Sequence, residues 1–78
     1  HLAAVTNVGF SWKNQKLTQE VNFIGSLNLL EALCESGMSS SKVLMMSSAE
    51  LYGNTSELIT ENTSLSIQNP YSLSKYAL

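Results

Sequence analysis

The chain lacks several features that stabilise small proteins or direct them to a membrane or a nucleic acid. Its 78 residues contain one proline and one cysteine, so no internal disulfide can form. No apolar run approaches the roughly 18 residues of a membrane-spanning helix. Four basic residues against six acidic ones give a net charge of -2 and no patch for nucleic acid. We therefore expect a cytoplasmic protein with no metal site, which binds neither membrane nor nucleic acid.

The length is small for an independent domain. Hydrophobic residues make up 44% of the chain, an ordinary share for a globular protein. Without staples, however, a chain of this size forms only a marginal core. The sequence starts at His1 without an initiator methionine, and its last helical pattern runs on to Leu78. We interpret residues 1–78 as a part of one larger domain, and expect these residues to be inactive by themselves.

The hydrophobic pattern predicts alternating helices and strands. Apolar residues recur at intervals of three and four over residues 15–36, the helical period, and Gly37 stands where that helix would end. Residues 42–48 are a short apolar run, typical of a buried parallel strand. A polar stretch over residues 53–69 follows, and Pro70 opens a last helix. This order favours an α/β fold with one parallel sheet and covering helices.

The apolar face of the long helix is expected to be its buried face. The small pair Gly25 and Ser26 favours close packing of this helix on the sheet. Cys34 is expected to be buried filler rather than a nucleophile. The residues of the apolar face are Leu17, Val21, Ile24, Leu27, Leu30 and Cys34.

Tyr71 and Lys75 are the strongest indication of chemistry. Asn69 is a good helix cap and Pro70 a good first helical residue, so a helix starting there places both side chains on one face. An ammonium ion beside a phenol favours the phenolate, which can act as general acid or base at an alcohol or ketone carbon. The same spacing also occurs by chance on amphipathic surface helices, so the pair needs support from other segments.

Two other segments stand where a parallel sheet binds its ligands, at the carboxyl ends of strands. HLAA at 1–4 ends one strand with small residues that allow a bulky ligand to approach the backbone. SSAELYG at 47–53 ends the other, and a hydroxyl there could hydrogen-bond a substrate oxygen or the phenolate. For Ser48 the alternative is a simple strand-end turn, and for Glu50 a solvated loop acid.

Together these segments resemble the extended short-chain dehydrogenase/reductase family, the NAD(P)-dependent sugar epimerases and dehydratases. HLAA at 1–4 is similar to the family motif after the fourth strand, and residues 21–32 to its helix pattern VNxxGTxNLLEA. SSAELYG is similar to SSxxVYG, and NPYSLSK at 69–75 to SPYxxSK. The resemblance implies a Rossmann-type doubly wound parallel sheet, with residues 1–78 as the central part of one NAD(P)-binding domain. The family's glycine-rich phosphate loop has no counterpart in this sequence.

The resemblance also implies a role for each matching residue. Ser48 and Tyr71 match the catalytic hydroxyl residues, and Lys75 matches the lysine that holds the nicotinamide ribose. Asn22 matches a helix asparagine that braces the site through hydrogen bonds. Glu50 is implied as a further catalytic residue. The cofactor, NADP or NAD, is expected at Tyr71 and Lys75 and along Leu2, Ala3, Ala4, Val5 and Thr6.

Glu50 is the discriminating residue within the family. Ser48-Ala49-Glu50 fits the Ser/Thr-x-Glu arrangement of the GDP-mannose 4,6-dehydratases, where a carboxyl group can take the C5 proton and help water to leave. The GDP-4-keto-6-deoxymannose reductases also often carry glutamate there. Leu17, which replaces a cofactor-contacting tyrosine of the dehydratases, favours that second branch. We expect a nucleotide-sugar dehydratase; the alternatives are the reductase, another epimerase, or a non-catalytic dinucleotide-binding protein.

A homodimer is a further implication of the resemblance. In this family the long helix and the Tyr/Lys helix commonly pair with their copies in a second subunit. Phe23, Leu29 and Leu33, which lie off the main apolar face, are candidates for that surface. Burial within one subunit is the alternative.

Overall fold

The computed structural model describes residues 1–38 and 40–77. The helix predicted over residues 15–36 is present, because α2 (Gln15–Gln19), a π-helical turn (Glu20–Ile24) and α3 (Gly25–Glu35) follow one another without a gap. Ser39, and Leu78 at the end of the predicted last helix, lie outside the described residues. The elements in chain order are α1 (Val8–Lys13), α2 (Gln15–Gln19), the π turn (Glu20–Ile24), α3 (Gly25–Glu35), a 3-10 helix (Ala49–Tyr52) and α4 (Pro70–Tyr76).

The end of α3 follows from the glycine that the sequence places there. Gly37 has a φ of 79°, in the left-handed region that favours glycine. Its amide donates to the carbonyl of Cys34 at 3.3 Å, and the amide of Met38 donates to that of Leu33 at 2.9 Å. These two bonds satisfy carbonyls that the helix end would otherwise leave free. The predicted helix end is confirmed.

The start of α4 is fixed by its own first residues. Asn69 Oδ1 accepts from the backbone amide of Ser72 at 2.8 Å, and Ser72 Oγ accepts from the amide of Asn69 at 3.3 Å. Pro70 occupies the first helical position, where its missing N–H leaves no bond unmade. The cap predicted from Asn69 and Pro70 is confirmed, with a reciprocal bond from Ser72 in addition.

The strand predicted over residues 42–48 is not formed among the described residues. These residues lie outside any helix, and His1 N donates to the carbonyl of Leu44 at 3.0 Å. A strand needs a ladder of backbone bonds to a neighbour. The short segment at residues 1–4 supplies this one contact, so residues 42–48 have no ladder on either side.

The buried face of the helices is polar, and the predicted apolar face is exposed. Leu17 and Ile24 are 44% and 43% exposed, and Cys34, expected as core filler, is exposed as well. Short polar side chains let two helices approach closely, and their hydrogen bonds are made inside the contact: every buried side-chain N or O of the described residues has a partner. The buried residues are Ser11, Thr18, Asn22, Ser26, Pro70, Tyr71, Ser72, Ser74 and Lys75, and all but Pro70 and Tyr71 are polar or charged.

The exposure of the apolar side chains follows from the shape of the molecule. The chain is a single layer, 44 × 31 × 14 Å, with a radius of gyration of 14.0 Å. A compact domain of this length would have a radius of about 11.5 Å. Domains bury the apolar faces of their helices against a second layer, and residues 1–38 and 40–77 form none. No helix among them is long and apolar enough to cross a membrane.

Candidate active site

Tyr71 and Lys75 are buried on the same face of α4, as their spacing predicts. Their exposed fractions are 8% and 7%. Lys75 Nζ donates to the backbone carbonyl of Met46 at 3.1 Å. Burial removes water from the ammonium group and lowers the pKa of Lys75 below its ordinary value. The bond to Met46 also fixes α4 against the segment that leads to Ser48, two residues further on.

Ser48 lies at the start of the 3-10 helix and is half-buried. Its Oγ accepts from the backbone amide of Glu50 at 3.1 Å, so the turn considered as an alternative for this serine is formed. Within residues 1–38 and 40–77, no hydrogen bond joins Ser48 to the hydroxyl of Tyr71. A hydroxyl has one donor and two acceptor positions, so the capping bond leaves the Ser48 O–H available to a substrate oxygen.

Gly53 closes the 3-10 helix in a conformation that other residues rarely adopt. Its φ and ψ are 63° and -154°, a region accessible essentially to glycine alone. A Cβ at this position would lie 2.8 Å from Nε2 of Gln68. The glycine of the YG pair therefore lets the chain leave the candidate site sharply and pass beside the segment that returns to α4.

Glu50 is exposed and faces the start of α4. Its Oε2 accepts a long hydrogen bond from Asn69 Nδ2, at 3.5 Å. Asn69 thus caps α4 through its carbonyl oxygen and reaches Glu50 through its amide nitrogen. Among the described residues, no group of three or more His, Cys, Asp or Glu side chains could hold a metal ion.

Asn22 connects the segment at residues 2–6 to α4. Its Oδ1 accepts from the amide of Val5 at 2.8 Å, and its Nδ2 donates to the carbonyl of Val5 at 2.9 Å and to Ser74 Oγ at 2.9 Å. The side chain is 1% exposed and lies in the π turn, a distortion often found at functional sites. The family resemblance implied hydrogen bonds of this kind for Asn22.

The segment expected to line a cofactor is open on one side and fixed on the other. Leu2 is 73% exposed, Ala3 and Thr6 are exposed, and Ala4 is half-buried. Both backbone groups of Val5 are bonded to Asn22, so the segment is held through its backbone. Its short side chains leave the outer surface accessible to a flat ligand.

Three contacts around the candidate site were missed from the sequence. Gln19 Nε2 donates to the carbonyl of Pro70 at 2.8 Å, and Lys75 meets the carbonyl of Met46, but neither partner carbonyl leaves a trace in the sequence pattern. Ser74, which bonds Asn22, could have been found. It stands three residues after Tyr71 and next to Lys75, so helical spacing places it on the buried face.

Comparison with known proteins agrees with the family that the four sequence motifs indicated. Residues 1–78 match the family described as GDP-mannose 4,6 dehydratase. A GDP-6-deoxy-D-mannose reductase of Pseudomonas aeruginosa is 38% identical over 80 residues, and a GDP-mannose 4,6-dehydratase of Sordaria araneosa is 37% identical over 78 residues. The matches include 99% and 96% of this chain. They span only 26% and 14% of the two relatives.

A solved structure has the same fold over this region. The structure of RMD from Pseudomonas aeruginosa complexed with NADPH aligns with a TM-score of 0.91 and 38% sequence identity. The alignment covers 99% of this chain and 27% of that chain. The backbone therefore follows part of a Rossmann enzyme, although helices are the only regular elements among the described residues.

Proposed function

The chain belongs to the GDP-mannose 4,6 dehydratase family of extended short-chain dehydrogenases/reductases, and on this premise we propose that the full-length protein is an NAD(P)-dependent enzyme that removes water from GDP-mannose. Residues 1–78 would form the central part of its NAD(P)-binding domain. The observation that carries the proposal is the 3.1 Å bond from Lys75 Nζ to Met46 O. It holds the helix of Tyr71 against the segment that ends at Ser48, so the proposed catalytic groups belong to one site.

The residues present fit a bound NADP or NAD. Leu2 and Ala3 are exposed, and the short side chains of Ala3 and Ala4 leave room for a flat dinucleotide on the backbone. The Val5 bonds to Asn22 hold that surface in place. Lys75 supplies a cation with donors that could hold ribose hydroxyls. The chemistry that a bound nicotinamide would supply is the acceptance of hydride from C4 of the sugar and its return to C6 after water has left, while C5 regains a proton equivalent to the one taken from the C4 hydroxyl.

Three side chains serve the oxidation of the sugar at C4 in this proposal. Tyr71, as the phenolate, takes the proton of the C4 hydroxyl, so that the C–H electrons can leave as hydride. Ser48 uses its available O–H to hydrogen-bond the C4 oxygen as it becomes a ketone. Lys75 would hold the nicotinamide ribose through its N–H donors.

Glu50 provides the step that distinguishes a dehydratase. A ketone at C4 acidifies the C5 proton, and the Glu50 carboxylate takes that proton. It then returns a proton to the C6 hydroxyl, which departs as water. The contact with Asn69 at the start of α4 supports this role, because it brings the Glu50 carboxylate to the helix that carries Tyr71.

A reductase that acts on the 4-keto sugar is the second candidate. Supporting it are the 38% identity to a reductase over 80 residues and Leu17 in place of the dehydratase tyrosine. In that reaction Tyr71 donates a proton to the C4 oxygen as hydride arrives. Glu50 would have no C5 proton to remove, and its substitution should matter little.

The experiment incubates the full-length protein with GDP-mannose and catalytic NADP or NAD and follows the products by mass spectrometry. We expect the loss of one water, abolished in Tyr71→Phe and Glu50→Gln. Matched controls are Tyr76→Phe, 56% exposed on the same helix, and Glu57→Gln, an exposed acid of the following loop. Both controls should keep wild-type turnover.

Other outcomes decide between the alternatives. No turnover of GDP-mannose, with reduction of the 4-keto product by added NADPH or NADH, would establish the reductase. If neither reaction occurs, the GDP-mannose assignment is wrong. A panel of other nucleotide sugars then separates another enzyme of the family from a protein that only binds a dinucleotide.

A further inference from the structure

Ser74 lies between Asn22 and the part of α4 that carries Tyr71. Its side chain is fully buried on α4, one residue before Lys75. Its Oγ accepts from Asn22 Nδ2 at 2.9 Å and donates to the backbone carbonyl of Tyr71 at 2.6 Å. One hydroxyl therefore bonds both the brace from the other helix and the backbone of the proposed catalytic tyrosine.

The bonds of Asn22 extend the Asn22–Ser74 contact beyond α4, to the segment at residues 2–6. Val5, in the segment proposed to line the cofactor, accepts from the second N–H of the Asn22 amide and donates to its Oδ1. A continuous chain of hydrogen bonds thus runs from Val5 through Asn22 and Ser74 to Tyr71. Asn22 and Ser74 are 52 positions apart, so their bond joins two different helical segments. Both residues are buried, so water cannot readily replace either partner.

We infer that Ser74 is a positioning residue, which sets the distance between the cofactor-lining segment at residues 2–6 and the Tyr71/Lys75 face of α4. The inference rests on the proposed function for its catalytic consequence. Ser74 itself touches neither the sugar nor the cofactor. It acts through the Asn22 amide on one side and through the backbone of α4 on the other, where a shift of about 1 Å at the reacting groups can cost a hundredfold in rate.

The test compares Ser74→Ala with Ser72→Ala in the full-length protein. Both serines are fully buried on α4, but Ser72 Oγ bonds only the backbone of Asn69, at the helix cap. Ser74→Cys is added because a thiol keeps the volume of the site if the alanine variant fails to fold. It is a weak donor and acceptor, so it should behave as a partial loss of Ser74.

The first readout is amide hydrogen exchange, which needs no enzymatic activity. Removing the Ser74 hydroxyl leaves one Asn22 N–H without its partner in a buried site, which loosens the bonds of that amide to Val5. We expect the Val5 amide to exchange roughly three- to tenfold faster, the range that one hydrogen bond represents. The Ser36 amide, at the far end of α3, should be unchanged. Ser72→Ala should leave the Val5 amide at its wild-type rate.

The second readout is the kcat and KM of the full-length enzyme. Ser74→Ala should lower kcat by roughly ten- to a hundredfold, with little change in KM for the sugar and a larger isotope effect with C4-deuterated substrate. Wild-type exchange at Val5 in both Ser74 variants would overturn the inference, as would an equal loss of kcat in Ser72→Ala. If the wild-type protein turns over no nucleotide sugar, the proposed function fails, and the exchange measurement still decides whether Ser74 holds Val5 to α4.

Discussion

Lys75 is a buried cation whose observed partner is a backbone carbonyl. The ammonium of Lys75 donates to Met46 O at 3.1 Å, and the side chain is 7% exposed. A carbonyl dipole replaces only part of the hydration that a cation loses on burial. The folded protein therefore favours the neutral amine more than the unfolded chain does, and the pKa of Lys75 is lowered from its ordinary value of 10.5.

This burial predicts how stability depends on pH. Below the lowered pKa of Lys75, both the folded and the unfolded protein are protonated there, and the full cost of burying the charge is present. Between the lowered pKa and 10.5 the unfolded chain binds more protons, so the free energy of unfolding should rise with pH. Urea denaturation of the full-length protein at increasing alkaline pH measures this.

Lys75→Met is the matched variant, because it keeps the length of the side chain without a charge. The rise should appear in the difference in the free energy of unfolding between the wild-type protein and Lys75→Met. Taking this difference cancels the titration of tyrosines and other lysines. An unchanged difference across this pH range, or one of opposite sign, would contradict a desolvated Lys75. The same residue could still hold a ribose, so this measurement isolates the burial from the chemistry.

At the scale of elements, α4 depends on Asn69 for its first turn. The Oδ1 of Asn69 satisfies the amide of Ser72, and its Nδ2 reaches Glu50. Asparagine can make both contacts at once because its amide carries an acceptor and donors. The Asn69 side chain therefore contacts both the first turn of α4 and Glu50 in the 3-10 helix after Ser48.

Replacing Asn69 should separate these two contacts. Asn69→Ala removes the cap and should cost about 0.5–2 kcal/mol of stability in this helix. Asn69→Asp keeps an equally good cap but places a carboxylate opposite Glu50. Amide exchange of Ser72 in the full-length protein should therefore quicken in Asn69→Ala and stay near the wild-type rate in Asn69→Asp. Equal exchange in all three proteins would show that the cap contributes nothing to this turn.

At the scale of the whole molecule, the single layer of helices exposes large apolar side chains that proteins usually bury in a contact. Phe23 and Leu29 are each 37% exposed, and Leu33 is half-buried. Exposed apolar surface of this kind marks a contact with other protein. We propose that a second copy of the chain covers these residues, through pairing of the long helix and α4.

The pairing predicts that the full-length protein is a dimer in solution. Phe23→Glu and Leu29→Glu should each shift it toward the monomer, because a charge would be buried in an apolar contact. Light scattering after size-exclusion chromatography gives the mass. Leu58→Glu, at a leucine that is 88% exposed in the loop before α4, is the control and should leave the dimer intact. A monomeric wild-type protein would show that one subunit covers these residues itself.

The local features of this protein were determined by the sequence alone. The helix over residues 15–36, its end at Gly37, the cap at Asn69 and the shared face of Tyr71 and Lys75 were all predictable. Each depends on bonds or spacings between residues at most five positions apart, such as the Ser72 amide on Asn69 and the Met38 amide on Leu33. Neighbours in sequence fix such features whatever surrounds them.

Only the tertiary structure decided which face of the helices is buried and what holds the candidate site together. The long helix offered an apolar face and a polar one, and the polar one is buried, because Asn22 finds its partners across 17 positions at Val5 and 52 at Ser74. Lys75 meets Met46 across 29 positions, through a backbone carbonyl that every residue type possesses. Residues 42–48 form no strand because a ladder needs a neighbouring backbone that local propensity cannot supply. Contacts of this range depend on how the elements pack, and periodicity carries no record of them.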